Sequence, residues 1–119
     1  LPEESSGGAA EAAFLAAAAL WELGAMQEHL TTLGRTSARE RVASFLVVLM
    51  RRVGLQDELG IHIDLPMSRA DIAGFLGLRT ETVSRAFTEF RLSGLIALPT
   101  AQHVTVLQPE ALADVAEGE

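Results

Sequence analysis

The sequence predicts a mainly α fold with a small β wing, namely a winged helix-turn-helix preceded by a long dimerisation helix. Three observations support this prediction. Residues 9–33 are rich in alanine and leucine at helical spacing, and residues 68–94 have a helix–glycine–helix pattern. Two short apolar segments then flank a turn, as the strands of a hairpin do. The chain's 119 residues suffice for one domain and one additional helix.

The distribution of charge divides the chain into three parts. Nine basic and sixteen acidic residues give a net charge of −7, which is unusual for a protein that binds nucleic acid. All nine basic residues are arginines between Arg35 and Arg91, where seven acids leave a local charge of +2. The other nine acids lie in the two ends. A weakly basic centre predicts modest attraction to phosphate, which dimerisation would double.

Several classes of protein are disfavoured by what the chain lacks. There is no cysteine, which excludes disulfides, thiol catalysis and cysteine-bound metal or iron–sulfur centres within the chain. We find no phosphate-binding glycine loop and no nucleophile elbow, and His29, His62 and His103 do not have metal-ligand spacing. We therefore predict no enzyme activity, no metal site and no cofactor in this chain.

The ends of the sequence bear on location and completeness. No apolar run is long enough to span a membrane and no signal peptide is recognisable, so we expect a cytoplasmic protein without membrane association. The chain begins with Leu1 rather than methionine, which suggests a fragment of a longer protein. Residues 1–8 have no periodicity and are predicted to be a disordered tail or linker.

Residues 9–34 are predicted to form the dimerisation helix. Small and apolar side chains recur in alternating steps of four and three residues, as in a coiled-coil seam. The seam consists of Ala12, Ala16, Ala19, Leu23, Met26, Leu30 and Leu33. Phe14, Leu15, Leu20 and Trp21 lie off this seam and predict a second packing surface, supplied by a partner or by a missing domain. The alternative is a helix within a single domain that buries several faces at once.

Residues 35–119 are predicted to form the winged-helix domain. Its first helix begins at a capping box of Ser37 and Glu40. That helix has an apolar stripe and an arginine side predicted to be solvated, namely Val42, Phe45, Leu46, Leu49 and Val53 against Arg39, Arg41, Arg51 and Arg52. A loop over 54–60, a strand over 61–65, a hairpin with its turn at 99–102 and a last helix over 109–115 complete the domain.

The segment 68–94 predicts two helices joined by a tight turn. Ser68 and Asp71 can cap the first helix, and Gly77 supplies a left-handed residue at its end. The second helix begins at Arg79 or Thr80 and is stopped by Gly94. The side chains predicted to face the core are Ile72, Ala73, Phe75 and Leu76 in the first helix and Val83, Phe87 and Phe90 in the second.

The opposite face of the second helix carries polar side chains. Glu81, Ser84, Arg85 and Thr88 follow at i, i+3, i+4 and i+7. Arg85 can donate two hydrogen bonds to guanine, Glu81 can accept one from cytosine, and Ser84 is small enough for close approach to a base. This pattern favours contact with base edges in a DNA major groove. The alternative is a solvated face with a weak Glu81–Arg85 ion pair.

Three segments together resemble the Crp/Fnr family of bacterial transcription regulators. They are RERVASFLVVL at 39–49, IDLP at 63–66 and MSRADIAGFLGLRTETVSRAF at 67–87. The ETVSR motif at 81–85 is similar to the Fnr and FixK branches, because the cAMP-receptor branch carries glycine in place of Ser84. The resemblance covers roughly residues 12–110.

The resemblance implies a sequence-specific transcription regulator that binds a palindromic TTGAT-type site as a homodimer and works with RNA polymerase. Its long helix would join the winged-helix domain to a sensor domain that this chain lacks, whose cofactor is unknown. The implied base contacts are Glu81, Ser84, Arg85 and Thr80, and the implied phosphate contacts are Ser68, Arg69, Arg79 and Thr82. The implied dimerisation residues are Ala16, Ala19, Leu23, Met26, Leu30 and Leu33.

One position departs from the family pattern. The family usually has serine or threonine as the helix cap at position 79, where this chain has Arg79. We therefore expect Thr80 to take over the cap, which would shift the helix start by one residue and weaken its assignment as a base contact. A second function also remains open, a protein-interaction winged helix that does not bind DNA, which the net charge of −7 favours. The signal, the target genes and the choice between activation and repression are not encoded in this segment.

Overall fold

The computed structural model describes residues 37–65 and 67–118. The predicted tail at 1–8, the predicted dimerisation helix at 9–34 and its seam lie outside the described residues. The described part contains four helices and one four-stranded antiparallel sheet. The prediction of a mainly helical fold with a small β wing is confirmed.

Helix α1 spans Ala38–Val53 and begins at the predicted capping box. The Ser37 hydroxyl accepts the Glu40 N–H at 3.1 Å, and the Glu40 carboxylate accepts the Ser37 N–H at 2.7 Å. Both bonds satisfy N–H groups that a helix start leaves without partners. Four of the five residues of the predicted apolar stripe, Val42, Phe45, Leu46 and Leu49, are inaccessible to solvent, and Val53 in the last turn is half-buried.

The sheet has the strand order β1-β2-β4-β3. Its strands are β1 (Leu55–Gln56), β2 (Ile61–Asp64), β3 (Ile96–Thr100) and β4 (His103–Val106). The predicted strand and hairpin are confirmed. The prediction that 54–60 is only a loop is wrong, because Leu55 pairs with His62 to form β1. Both residues of β1 are exposed, so no alternation of apolar side chains marked it in the sequence.

The remaining helices are α2 (Arg69–Leu76), α3 (Thr80–Leu92) and α4 (Pro109–Ala116). Helix α4 packs against α1, with Pro109 at its start as predicted. The core lies between α1, the α2–α3 pair and one face of the sheet. Its largest buried side chains are Phe45, Phe87, Phe90, Leu46, Leu49, Ile63, Ile72, Ile96 and Leu112. This core fixes α3 with one face inward and the other exposed.

Candidate DNA interface

The turn between α2 and α3 has the predicted geometry. Ser68 and Asp71 form a capping box, in which the Ser68 hydroxyl accepts the Asp71 N–H at 3.1 Å. Gly77 adopts the left-handed conformation, with φ 69° and ψ 34°. The N–H groups of Gly77 and Leu78 both donate to the Ala73 carbonyl oxygen, which closes the end of α2. A side chain at Gly77 would be strained in this conformation.

The inner face of α3 is buried as predicted, and that of α2 is buried in part. Val83, Phe87 and Phe90 are essentially inaccessible to solvent. On α2, Phe75 is 50% exposed, so its assignment to the core is wrong. The small Ala73, rather than Phe75, completes the buried arc beside Ile72 and Leu76, because a small side chain lets α2 and α3 approach closely.

The outer face of α3 presents the polar residues that the spacing predicted. Glu81, Arg85 and Thr88 are exposed, and Ser84 between them is half-buried. The face borders a shallow open groove of about 300 Å³ that Glu89 and Leu92 also line. Leu92 is 73% exposed, the most solvated large apolar side chain of this helix. Arg85 is the one arginine among the four polar residues of this face.

The start of α3 differs from the expectation. Thr80 is the first helical residue, and Arg79 occupies the cap position with an extended backbone, φ −84° and ψ 151°. The expected transfer of the cap to Thr80 is therefore wrong. The Arg79 side chain makes no capping hydrogen bond. Arg79 and Thr80 are exposed and Thr82 is half-buried, so this turn lacks the side-chain cap that serves α1 and α2.

Arg69 is held against the core rather than extended into solvent. Its guanidinium carbon lies 4.1 Å from the centre of the Phe87 ring, which is within cation–π distance. Burial lowers the pKa of Arg69 from its ordinary value, although the group remains charged near neutral pH. Ser68, the residue before it, uses its hydroxyl in the α2 cap. The predicted phosphate contacts therefore surround the starts of both helices.

Two arginines of α1 position the helix pair, and sequence reasoning had placed both on a solvated side. Arg39 Nε donates to Glu89 Oε1 of α3 at 2.9 Å. Arg41 Nη1 donates to the Leu76 carbonyl oxygen at the end of α2, at 3.2 Å, so its assignment to the solvated side is wrong. The half-buried Arg41 side chain reaches the C-terminal end of α2, where the last carbonyl groups have no hydrogen-bond donor within the helix. No local pattern in the sequence indicates this contact, because the two residues lie 35 positions apart.

The structure also brings together two histidines that the sequence separates. His62 Nδ1 lies 3.0 Å from His103 Nε2.

In the described part of the chain, no group of three or more histidine, aspartate or glutamate side chains is arranged to hold a metal ion. Nor does any helix among residues 37–65 and 67–118 have the length and apolar character needed to cross a membrane.

The fold and the exposed face of α3 define a winged helix-turn-helix DNA-binding domain. Residues 40–115 match the Crp-like helix-turn-helix domain. The chain therefore belongs to the Crp/Fnr family of transcription regulators, whose members are not enzymes.

Individual relatives agree with this placement. The chain is 47% identical to the nitrogen fixation regulation protein FixK of Rhizobium meliloti over 98 residues, which cover 82% of the chain and 44% of that protein. It is 42% identical to the transcriptional activator protein FnrL of Cereibacter sphaeroides over 71% of the chain and 36% of that protein. The solved structure of FixK2 from Bradyrhizobium japonicum matches with a TM-score of 0.62 and 38% identity, over 73% of the chain and 42% of FixK2. The chain thus spans less than half the length of these relatives.

Proposed function

We propose that this chain is the dimerisation and DNA-binding part of a transcription regulator that recognises a palindromic TTGAT-type site as a homodimer. The observation that carries the proposal is the outer face of α3, where Glu81, Ser84 and Arg85 lie together without a large apolar neighbour among them. Arg85 suits guanine, Glu81 suits cytosine, and Ser84 leaves room for the helix to enter the major groove. Thr80, one turn earlier, lies at the edge of the same face.

Phosphate contacts are proposed at the N-terminal ends of α2 and α3. Ser68 and Arg69 open α2, and Arg79 and Thr82 flank the start of α3. The absence of a side-chain cap at Arg79 supports the proposal, because N–H groups in the first turn of a helix attract a phosphate. The stacking of Arg69 on Phe87 also supports it, since an ordered guanidinium loses less entropy when it binds.

A dimer is needed on electrostatic grounds. One copy carries only a weakly basic centre within a chain of net charge −7, so a single domain would bind DNA poorly. Two copies joined through Ala16, Ala19, Leu23, Met26, Leu30 and Leu33 would present two α3 helices to two half-sites. We propose that the complete protein acts in the cytoplasm, and that it recruits or blocks RNA polymerase once bound.

The proposal is tested by fluorescence anisotropy with two labelled duplexes. One contains two TTGAT half-sites as a palindrome, centred about one helical turn apart, and the other is a scrambled sequence of equal composition. We expect roughly 10³-fold tighter binding to the palindrome and a steep loss of affinity with salt. Equal and weak binding to both duplexes would instead favour the protein-interaction module. Sedimentation at micromolar concentration tests the dimer separately, and a monomer alone would contradict it.

A further inference from the structure

Four ionisable side chains form a continuous hydrogen-bonded chain beside the turn of the wing hairpin. His62 Nδ1 on β2 lies 3.0 Å from His103 Nε2 on β4. The other nitrogen of each ring meets a carboxylate, with His62 Nε2 2.8 Å from Asp57 Oδ2 and His103 Nδ1 2.9 Å from Asp64 Oδ1. We call this set, Asp57–His62–His103–Asp64, the wing chain.

The wing chain requires a definite number of protons. An ionised carboxylate only accepts hydrogen bonds, so the two nitrogens that face Asp57 and Asp64 each carry a hydrogen. A neutral imidazole has only one N–H, and two neutral rings would therefore turn two lone pairs toward each other at 3.0 Å. One additional proton between His62 and His103 converts this repulsion into a charge-assisted hydrogen bond. A further proton would oppose two N–H groups.

The ring geometry suits a proton better than a metal ion. The ring centres are 5.2 Å apart, which is 2.2 Å more than the two facing nitrogens. That difference is about twice the distance from the centre of an imidazole to its nitrogen, so both nitrogens lie near the line between the centres. A metal ion bound to both rings would lie off this line, at the point where the lone-pair directions of the two nitrogens cross.

The wing chain joins three parts of the fold. Asp57 belongs to the turn after β1, Asp64 ends β2, and His103 begins β4 of the wing hairpin. Next to it, the Leu65 N–H donates to the Gln102 carbonyl oxygen of the wing turn at 2.7 Å. Leu65 leads directly into the segment that starts α2. The hydrogen bonds of the wing chain therefore influence both the wing hairpin and the segment that leads into the helix-turn-helix.

Besides Asp57 and Asp64, the elements around the pair carry further polar and charged groups. Thr105 Oγ1 of β4 lies 3.1 Å from His62 Nδ1 and offers a hydroxyl when the proton leaves. Strand β3 carries no ionisable residue, and Glu58 lies in the same turn as Asp57. Helix α1, whose last turn carries Arg51 and Arg52, packs on the side of the sheet where Ile63 is buried. Side chains alternate along a strand, so His62 faces the other side of the sheet. Hydrogen bonds from the Leu59 N–H and then from His62 hold the pKa of Asp57 below its ordinary value of 3.8, so this carboxyl is ionised near neutral pH.

We propose that His62 and His103 share one proton near neutral pH, and that this proton locks the wing hairpin onto β2. Loss of the proton at higher pH places two lone pairs opposite each other, and gain of a second proton at lower pH places two N–H groups opposite each other. Either change loosens the wing hairpin. Imidazole is the side chain whose charge changes in this range, and the two rings should titrate as a coupled pair. A bell-shaped dependence of DNA affinity on pH is a consequence that rests on the proposed function.

The shared proton is tested without DNA by following the imidazole nitrogen shifts of the 119-residue chain by NMR from pH 5 to pH 9. We expect His62 and His103 to titrate together in two steps, and His62 to titrate in one step in the variant His103→Gln. Independent single-step titrations in the unaltered chain would overturn the proposal. Stoichiometric binding of added Zn²⁺ that shifts both rings at pH 7 would also overturn it, in favour of a metal site.

The lock is tested by hydrogen exchange of the Leu65 amide in two matched variants. Asp64→Asn removes the carboxylate that accepts from His103, whereas Glu58→Gln removes the same charge and leaves the four-residue chain intact. At pH 6.5 we expect protection in Asp64→Asn to be at least about threefold lower than in Glu58→Gln, with the two converging at pH 9. Equal protection at pH 6.5 would contradict the lock. If the lock holds but no duplex binds at any pH, the proposed function fails and the inference about the proton stands.

Discussion

The guanidinium of Arg69, the first residue of α2, lies over the ring of Phe87 in α3, 4.1 Å from its centre. The contact ties the beginning of one helix to the buried side of the next. Phe87 is only 1% exposed, so the Arg69 side chain covers part of the core and also contributes to the protein surface. A cation in this position contributes to the fold, and it lies where we propose a contact with a DNA phosphate.

The first prediction concerns this stacked pair. Arg69→Lys keeps the charge but loses the flat face that stacks on the ring, so we expect the free energy of unfolding to fall by about 0.5–1 kcal/mol. A double-mutant cycle of Arg69→Lys, Phe87→Leu and the double variant, measured by urea unfolding, gives the coupling energy between the two side chains. A coupling energy near zero would show that the contact does not stabilise the domain.

The second prediction concerns base recognition. Arg85→Ala should cost about 1–3 kcal/mol on the palindromic duplex and much less on the scrambled one, because the two hydrogen bonds that we propose from Arg85 to guanine would be lost. Arg91→Ala is the matched control, since it removes the same charge from another side of α3. Anisotropy titrations at one salt concentration compare the two variants. Equal losses on both duplexes would argue against base contact by Arg85.

The third prediction separates the two effects of the residue at the start of α3. Arg79 occupies a cap position without capping, so Arg79→Ser should stabilise the domain by about 1 kcal/mol relative to Arg79→Ala. Both variants should bind the duplexes more weakly and lower the salt slope by about one, because each would lose the phosphate contact that we propose for Arg79. Thermal unfolding and salt titrations measure the two effects. An unchanged slope would mean that Arg79 makes no such contact.

The fourth prediction compares two glycines of the helix-turn-helix. Gly77→Ala should destabilise the domain by about 1 kcal/mol, because a Cβ is strained at φ 69°. Gly74→Ala should stabilise it by roughly 0.5–1 kcal/mol, since an added Cβ meets nothing within 4 Å inside α2. Urea unfolding of both variants checks the sign. A stabilising Gly77→Ala would contradict the left-handed turn.

The fifth prediction concerns pH and Asp57. Its folded pKa is lowered, first by the Leu59 N–H and then by His62, so its contribution to stability is present above the unfolded pKa and is lost as the pH falls through the folded pKa. We expect Asp57→Asn to be less stable than the unaltered chain at pH 6, and the difference to shrink below about pH 4. Melting temperatures across this range provide the measurement. A difference that grows on acidification would contradict the assignment.

Short-range chemistry explains which elements could be predicted from the sequence. The capping boxes at Ser37 and Ser68 and the left-handed Gly77 depend on residues within four positions of one another. The apolar face of α3 follows from helical spacing alone, and all three of its predicted core residues are buried. The roles assigned to Glu81, Ser84, Arg85 and the seam at 12–33 stay predictions.

Tertiary structure decided the features that depend on residues distant in the chain. Phe75 is exposed because the close approach of α3 buries the small Ala73 instead. Arg41 is half-buried because its side chain reaches the Leu76 carbonyl oxygen at the end of α2. The 41-residue separation of His62 and His103 disappears only when β2 pairs with β4. The sequence by itself thus determined the described helices, the caps of α1 and α2 and the exposed polar face of α3, since these depend on local bonding and periodicity. The contacts of Arg39, Arg41 and Arg69 and the paired histidines arose from packing, which no local pattern encodes.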